Sequence, residues 1–356
     1  MAGGLDVFYR EQLPNNYISY GTKTVGFSPR LGFGLREDLS LQVRYSLYQQ
    51  SITLPFQLDN CNNLAGPAFF PTPTYINQVL GGVDPTGNSQ AGLPPGCLGD
   101  GESSLPVRKE LAQGAEWTSS VGYSLDYNTL DNNKNPTDGL LIDFKQDFAG
   151  VGGDVTYLKS ALDAKYYTPL VADIVGLIHV QGGILNKVGN TDLRMLDQFQ
   201  MGPNLVRGFA PNGIGPRDLN PFGTQDALGG TKYWGASMEL QMPFWFLPKE
   251  VGLKGAIYAD AGGLYDYQGP TTWAATGEVT TPANSNCIRP TQYPNASAGT
   301  CTGLVYDNGN QVRSSVGVGL IWASPFGPLR FDYAVPITKG QFDRVQQFKF
   351  GGGTTF

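Results

Sequence analysis

The stretch that decides the fold is Val312–Trp322, which reads VRSSVGVGLIW. Every second residue from Val312 is apolar except Ser314, whereas the intervening positions up to Gly319 carry arginine, serine or glycine. A period of two is the pattern of a β-strand that has one apolar and one polar face. The next segment repeats it, because apolar residues alternate there with Arg330 and Asp332. We therefore predict two neighbouring β-strands near this end of the chain.

The same alternation recurs along the whole chain and predicts an all-β protein. Twelve segments carry it, at residues 4–12, 19–36, 39–52, 116–130, 138–149, 154–168, 171–186, 229–243, 251–266, 311–323, 327–337 and 345–356. The chain is rich in aromatic residues, at 12%, which favours strands over helices. No run approaches the roughly 20 consecutive apolar residues that a membrane-spanning helix needs.

The lengths of the connections distinguish a soluble β-sandwich from a membrane barrel. The apolar face packs on a second sheet in a sandwich and turns towards lipid in a barrel. Counted back from Phe356, the connections are alternately short and long or variable in length. The short set is 324–327, 244–249, 169–170, 131–137 and 36–38, and the opposite set contains the three longest, 53–115, 187–228 and 267–310. Long extracellular loops opposite short periplasmic turns are typical of an outer-membrane barrel, so we predict one antiparallel transmembrane β-barrel domain over residues 1–356.

Charge and histidine content bear on several classes of function. The net charge is −6, and because phosphate binding needs a basic face, we expect no nucleic-acid partner. The single histidine, His179, lies in a strand segment, where we expect an ordinary side chain that faces the lumen. A zinc site or a catalytic triad built on His179 is the disfavoured alternative. We therefore expect neither an enzyme nor a cofactor.

The four cysteines fall in two of the long connections. Cys61 and Cys97 share the first of these, and Cys287 and Cys301 share the last. Their spacing matches no zinc motif, so we predict two local disulfides that formed in an oxidising compartment. A metal or redox site remains the alternative.

A motif in the 187–228 loop indicates a family. Residues 202–217 read GPNLVRGFAPNGIGPR, which resembles the sixth extracellular loop of the BamA family, whose signature is Val-Arg-Gly-Phe. The segments 229–240, 256–262 and 312–336 resemble consecutive barrel strands of that family, and Pro136–Gly139 resembles one of its periplasmic turns. The resemblance covers nearly the whole chain and is most specific over residues 200–356.

The resemblance implies a function and a set of partners. BamA-family barrels fold other β-barrel proteins and insert them into the outer membrane of Gram-negative bacteria. The implied partners are therefore unfolded outer-membrane barrel proteins, outer-membrane lipids and accessory assembly lipoproteins, with no cofactor. The family barrel has sixteen strands and is preceded by periplasmic POTRA domains, whereas this chain matches the last twelve strands. Because Met1–Gly4 has no signal-peptide character, we expect a chain truncated on its N-terminal side.

Strand parity places two carboxylates on the predicted inner wall. If Met238 and Leu240 face lipid, then Glu239 faces the lumen, and the same argument turns Asp260 inward. Buried charges are costly when they are unpaired. Arg207 of the 187–228 loop can supply the partner, because its planar guanidinium suits bidentate contacts with carboxylates.

The residues around this arginine suit a loop tip that enters the barrel. Gly208 allows a close approach of the backbone, and Phe209 can pack as an anchor. The resemblance implies that Val206–Phe209 folds back into the lumen and is held on the inner wall. A solvated Arg207 and general acid–base catalysis by Glu239 and Asp260 are the alternatives, although no nucleophile accompanies the two carboxylates.

The last strand segment ends on aromatic residues of one parity. Phe348, Phe350 and the terminal Phe356 share it, and outer-membrane barrels commonly end on such an assembly signal. An open sheet would leave unpaired backbone groups in lipid, so we also expect residues 4–12 to pair with residues 345–356 unless further strands are supplied.

The same segment contains three consecutive glycines, Gly351, Gly352 and Gly353. They either relieve crowding at a curved wall or allow the strand to bend. In the BamA family this strand lies at a seam that opens towards lipid, where an incoming protein is added as a further strand.

Two other functions compete with the assembly factor. A two-partner secretion pore shares the Val-Arg-Gly-Phe loop, although the run SPFGPLRFDY at residues 324–333 favours the BamA family. A passive or shortened barrel channel is the other, because twelve strands are an even number and can close.

Overall fold

The computed structural model describes residues 1–55, 58, 103–189, 193–218, 224–248, 251–269, 272–274, 300–302, 305–306, 310–324 and 327–352. Twelve strands form one antiparallel sheet. Their bounds are β1 Ala2–Gln12, β2 Gly21–Gly34, β3 Leu39–Thr53, β4 Glu116–Asn128, β5 Gly139–Ala149, β6 Tyr157–Pro169, β7 Val175–Lys187, β9 Lys232–Pro243, β10 Leu253–Tyr265, β14 Arg313–Ser324, β15 Gly327–Thr338 and β16 Phe348–Gly352. Each strand overlaps one predicted segment, which confirms the twelve-strand all-β prediction.

Four short strands lie in the connections and belong to two small ladders. Strand β8 (Arg217–Asp218) pairs with β13 (Val305–Tyr306), and β11 (Thr272–Ala274) pairs with β12 (Thr300–Thr302). The first of these ladders joins the loop between β7 and β9 to the loop between β10 and β14. These two long loops therefore contact each other through their backbones.

The sheet is an antiparallel meander, in which neighbouring strands are consecutive sheet strands of the chain and β1 and β16 are terminal. Long registers support this order, such as the thirteen partners from Tyr157↔Lys187 to Pro169↔Val175 between β6 and β7. The long connections all lie at one end of the sheet, which we call the long-loop end. The short-turn end carries the other connections, including the predicted turn at Pro136–Gly139.

One face of the sheet buries polar side chains and the other exposes apolar ones. On β14, Arg313 and Ser315 are 0% and 1% exposed, whereas Val316 and Val318 are 46% and 56% exposed. This is the reverse of a soluble sandwich, whose apolar face is buried. It confirms the parity predicted for a barrel, with the polar set turned towards the lumen.

A helix interrupts the connection 53–115 that the sequence interpretation left as loop. Helix α1 spans Leu105–Gln113, with a proline in its first turn and Gly114 at its C-cap. Both are ordinary signals of helix boundaries, but the run between them is too short to show a clear helical period. No helix in the described part of the chain is long and apolar enough to cross a membrane.

The two edges of the sheet are β1 and β16. No ladder joins them within the described residues, and residues 353–356 lie outside that part of the chain. The edges do approach at the long-loop end, because the Tyr17 hydroxyl donates to Oε1 of Gln346 over 2.8 Å. The sheet therefore curls round a lumen, and the predicted pairing of residues 4–12 with 345–356 stays a prediction.

The predicted disulfides Cys61–Cys97 and Cys287–Cys301 fall on residues or side chains outside the described part of the chain. They also stay predictions.

Candidate functional site

The loop between β7 and β9 enters the lumen, and Arg207 near its tip binds two strands of the inner wall. Its Nε and Nη2 donate to the two oxygens of Asp260 on β10, both over 2.7 Å, and its backbone N–H donates to Asp260 over 3.0 Å. Its Nη1 donates to Glu239 on β9 over 2.6 Å. The guanidinium also lies 3.4 Å from the ring centroid of Tyr258. The predicted residues thus meet, with Arg207 8%, Glu239 3% and Asp260 4% exposed.

Two further charged residues of β15 extend this group, and the sequence interpretation did not include them. Arg330 donates to both oxygens of Glu239, over 3.0 and 2.7 Å, and its Nε donates to Asp332 over 2.8 Å. Arg330 and Asp332 are buried, with 2% and 1% of their surfaces exposed. Their inward parity was visible in the sequence, but the strand order that brings β15 close to Glu239 was not.

Apolar packing holds the loop tip beside the charged group. Val206 and Phe209 are 0% and 1% exposed and form a cluster with Leu205 and Ile214. Gly208 between them has φ +93, and a Cβ there would lie 3.2 Å from the Cβ of Ala334 on β15. Glycine is required because this backbone conformation is strained for other residues.

The loop tip also pairs through its backbone with the segment that leads into β16. The Ala210 N–H donates to the Arg344 carbonyl over 2.9 Å, and the Gln346 N–H donates to the Gly208 carbonyl over 3.0 Å. Phe209 and Val345 form the antiparallel bridge between these two bonds. A short backbone ladder therefore joins the loop tip to the start of the last strand.

The predicted seam residues lie in β16 as far as the structure describes them. Phe348 and Phe350 are each 56% exposed on the outer face, and the ring of Phe350 lies 4.9 Å from that of Phe331. Gly351 and Gly352 pair with Arg330 and Leu329. The described residues stop before Gly353 and Phe356.

Nearer the start of this loop, a second buried group ties it to helix α1. Arg194 Nε donates to Glu110 over 2.8 Å, and the Met195 N–H donates to the other oxygen of Glu110 over 2.8 Å. Burial raises the pKa of Asp197 to about 7, although Arg194 and Lys159 oppose the rise. The loop between β3 and β4 is thus anchored to the loop that carries Arg207.

His179 does not form part of the site. It is 8% exposed, and its Nε2 lies 3.0 Å from Oδ2 of Asp163 on the neighbouring strand. Within the described residues, no group of histidine, cysteine and carboxylate side chains could hold a metal ion.

A meander with a loop bound inside it by an arginine and two carboxylates is a specific arrangement, and one family model fits it. The Omp85 superfamily domain matches residues 2–356. The chain belongs to the Omp85 superfamily. The resemblance to the BamA family that the motifs indicated is thereby supported over the whole length of the chain.

Named relatives of this Omp85 chain are assembly proteins. It is 30% identical over 353 residues to the outer membrane protein assembly factor BamA of Neorickettsia risticii, which covers 99% of this chain and 36% of the relative. It is 27% identical over 234 residues to the outer membrane protein assembly factor BamA of Neisseria meningitidis. That match covers 64% of this chain and 28% of the relative. It is 33% identical over 175 residues to the sorting and assembly machinery component 50 homolog of Mus musculus. That match covers 48% of this chain and 36% of the relative. The chain spans roughly a third of the length of these relatives.

A solved structure shows the same fold. BamA from Haemophilus ducreyi, in a form lacking POTRA domains 1–3, superposes with a TM-score of 0.66 at 21% identity, covering 99% of this chain and 58% of that one. The BamA-family resemblance is confirmed, and so are the outer-membrane β-barrel and its location in a Gram-negative bacterium. The BamA family is a family of assembly factors.

Proposed function

We propose that this Omp85 chain is the barrel of an outer-membrane assembly factor, which folds and inserts client β-barrel proteins at the edge of its sheet. The observation that carries the proposal is the sheet order, in which β1 and β16 are terminal and the described residues of each pair with one neighbour. An exposed edge offers main-chain donors and acceptors to an incoming strand, and such β-augmentation supplies affinity without a specific sequence. We propose unfolded outer-membrane barrel proteins as the clients, because their strands can pair with such an edge.

The loop tip in the lumen supports this function over a passive channel. Arg207 and its partners fill the space beside β9, β10 and β15, and their charges compensate each other. An open pore would instead keep a polar, water-filled interior. We propose that Val206, Arg207, Gly208, Phe209, Glu239 and Asp260 together hold the loop on the wall while the edge acts.

The remaining partners follow from the same role. We propose that the outer face contacts outer-membrane lipids, since Val316, Val318 and Phe350 expose apolar side chains there. We also propose accessory assembly lipoproteins as partners, as the resemblance to the BamA family implies. Strand addition makes and breaks hydrogen bonds only, so we propose that the chain is not an enzyme and requires no cofactor.

A reconstituted insertion assay tests the proposal. The chain is placed in liposomes, a urea-unfolded outer-membrane barrel protein is added, and folded client is counted by its altered gel mobility before heating. We expect faster client folding than in protein-free liposomes. Pairing with the edge of the sheet lowers the free-energy cost of forming the first strand of the client. Equal rates in both liposomes would contradict the proposal.

Single-channel recording on the same liposomes separates the channel alternatives. A barrel filled by its loop should conduct poorly and irregularly. A steady, ohmic conductance together with no client folding would favour a passive channel or a secretion pore.

A further inference from the structure

The last strand, β16, pairs with β15 at an edge of the sheet. The described part of β16, Phe348–Gly352, pairs with β15 over five positions, from Leu329↔Gly352 to Tyr333↔Phe348. By comparison, β6 and β7 share thirteen partners. Because the described residues of β16 have one neighbouring strand, contacts with other elements help to fix the position of β16 at the edge.

The loop tip supplies the first of these contacts through its backbone. The ladder described above joins Gly208 and Ala210 to Gln346 and Arg344, directly before β16 begins. A third bond continues it, because the Arg344 N–H donates to the Gly213 carbonyl over 2.9 Å. The entry to β16 is therefore held by the same loop that carries Arg207.

The side chain of Lys349 supplies the second contact. Ion pairs link acids and bases in the order Asp260, Arg207, Glu239, Arg330 and Asp332, and the last two lie on β15 beside the edge strand. Lys349 of β16 stands opposite Asp332 in the register, and it continues the alternation. Its Nζ donates to Oδ1 of Asn204 in the loop over 3.0 Å, so this lysine connects the terminal strand to the loop tip.

We propose that the loop tip positions the terminal strand β16 as well as binding the wall, with Lys349 as the positioning residue of the strand. The inference rests on the proposed function, in which this edge receives the client. The loop and the edge then act as one unit: while Arg207 is bound, the ladder at Arg344–Gln346 and the Lys349–Asn204 bond hold β16 against β15. Release of the tip removes these bonds, while the Ala334 N–H of β15 still donates to the Gln347 carbonyl at the start of the strand.

Hydrogen exchange of the folded chain in detergent tests this coupling directly. Lys349→Met keeps the length and apolar stem of the side chain and removes its charge. We expect the amides of residues 346–352 to exchange about three- to tenfold faster in this variant, since a bond to a charged group is lost. Lys145→Met, which removes a lysine paired with Asp143 on the distant strand β5, is the matched control and should leave those amides unchanged.

Two further variants distinguish positioning from a general loss of stability. Lys349→Arg keeps the charge and should restore most of the protection. Asn204→Asp places a carboxylate beside Lys349 and should slow the exchange of residues 346–352, but only while Lys349 is present. Unchanged exchange in Lys349→Met, or an equal effect of Asn204→Asp with and without the lysine, would overturn the inference.

The insertion assay is scored separately on the same variants. Normal client folding with no exchange effect would overturn the positioning role and leave the proposed function intact. An exchange effect in variants of a chain that never inserts a client would contradict the proposed function and keep the contact between loop and strand.

Discussion

Arg207 is bound through its backbone and all three guanidinium nitrogens, yet its two acidic partners depend on it unequally. Glu239 also accepts two bonds from Arg330, whereas Asp260 accepts otherwise from the Ser237 hydroxyl over 2.7 Å. A buried carboxylate that loses its counter-charge is far more costly than one that retains a second arginine. The two acids should therefore respond differently when the arginine is removed.

We expect Arg207→Ala to destabilise the folded barrel by roughly 3–5 kcal/mol, because it leaves Asp260 buried and uncompensated. Adding Asp260→Asn should recover much of that loss, and adding Glu239→Gln should recover less, since Arg330 already neutralises Glu239. The midpoint of heat unfolding, followed by gel mobility in detergent, measures all three variants.

Arg207→Lys and Arg36→Ala complete this comparison. The lysine should restore only part of the stability, because a point charge cannot bridge two acids as a guanidinium does. Arg36 pairs with Asp38 in an exposed turn, where an ion pair contributes little, so its removal should be nearly silent. If Arg207→Ala behaved like Arg36→Ala, the loop tip would not be held by this group.

Asp197, near the start of the loop between β7 and β9, should make the stability of the folded chain depend on pH. Its pKa is raised by burial to about 7. A raised pKa means that the folded state favours the protonated acid, so the associated stability is complete below the ordinary pKa of 3.8 and is lost as the pH rises through about 7.

We expect heat stability to fall between about pH 4 and pH 8 in the wild-type chain, by no more than about 4 kcal/mol from this residue. Asp197→Asn should flatten the fall while leaving stability at low pH unchanged. Unfolding midpoints measured in buffers across this range test it, and parallel curves for both proteins would show that the acid does not titrate here.

How much of this residue network the sequence could predict depends on which contacts strand parity determines. Parity turned Glu239, Asp260, Arg330 and Asp332 inward before any register was known. It could not place Arg330 beside Glu239, because β10 and β14 lie between their strands and the curvature of the wall decides which side chains meet across them. The family motif directed attention to Arg207, but not to the partners on β15.

At the scale of elements, strands were easier to predict than the helix. A strand of the sheet shows its alternation over the whole of its length, because one face is buried polar and the other is apolar. Helix α1 begins after the 51 residues, 54–104, that follow the end of β3. Its position depends on Glu110, which is 4% exposed and accepts a hydrogen bond from Arg194. Such a contact between two long loops leaves no periodic trace in the sequence.

Removal of the Glu110 charge should release this helix. We expect Glu110→Gln to raise the exchange rate of amides in residues 103–113 about tenfold, because Arg194 and the Met195 N–H lose a charged acceptor. Glu37→Gln, at an exposed turn position, is the control. Equal exchange in the two variants would mean that α1 is held by other contacts, such as the Ser104 bond to Asp226.

At the scale of the whole molecule, β1 forms one of the two edges of the sheet. Its residues are mostly exposed on both faces, and the described part of the chain gives it one neighbour, β2. The expectation that it pairs with the final strand arose from the cost of unpaired groups in lipid, which is a property of the membrane rather than of the sequence pattern.

If residues 4–12 pair with residues 345–356 as predicted, amides of Leu5–Tyr9 should be protected about as well as those of β6, which has a neighbour on each side. Mass spectrometry of the chain in lipid nanodiscs measures both segments in one sample. Markedly faster exchange at Leu5–Tyr9 than in β6 would contradict the predicted pairing.

The meander also determines how this barrel can itself be made. Every ladder of the large sheet joins neighbours in the order of synthesis, so no strand must wait for a remote part of the chain before it pairs. Folding can then proceed by successive addition of strands, and each addition closes one loop at a modest entropic cost. The remote bonds, such as Tyr17 to Gln346, lie in the loops and form once the sheet has curled. A chain that adds strands of other proteins to its edge would thus repeat, on a client, the step by which its own wall grew.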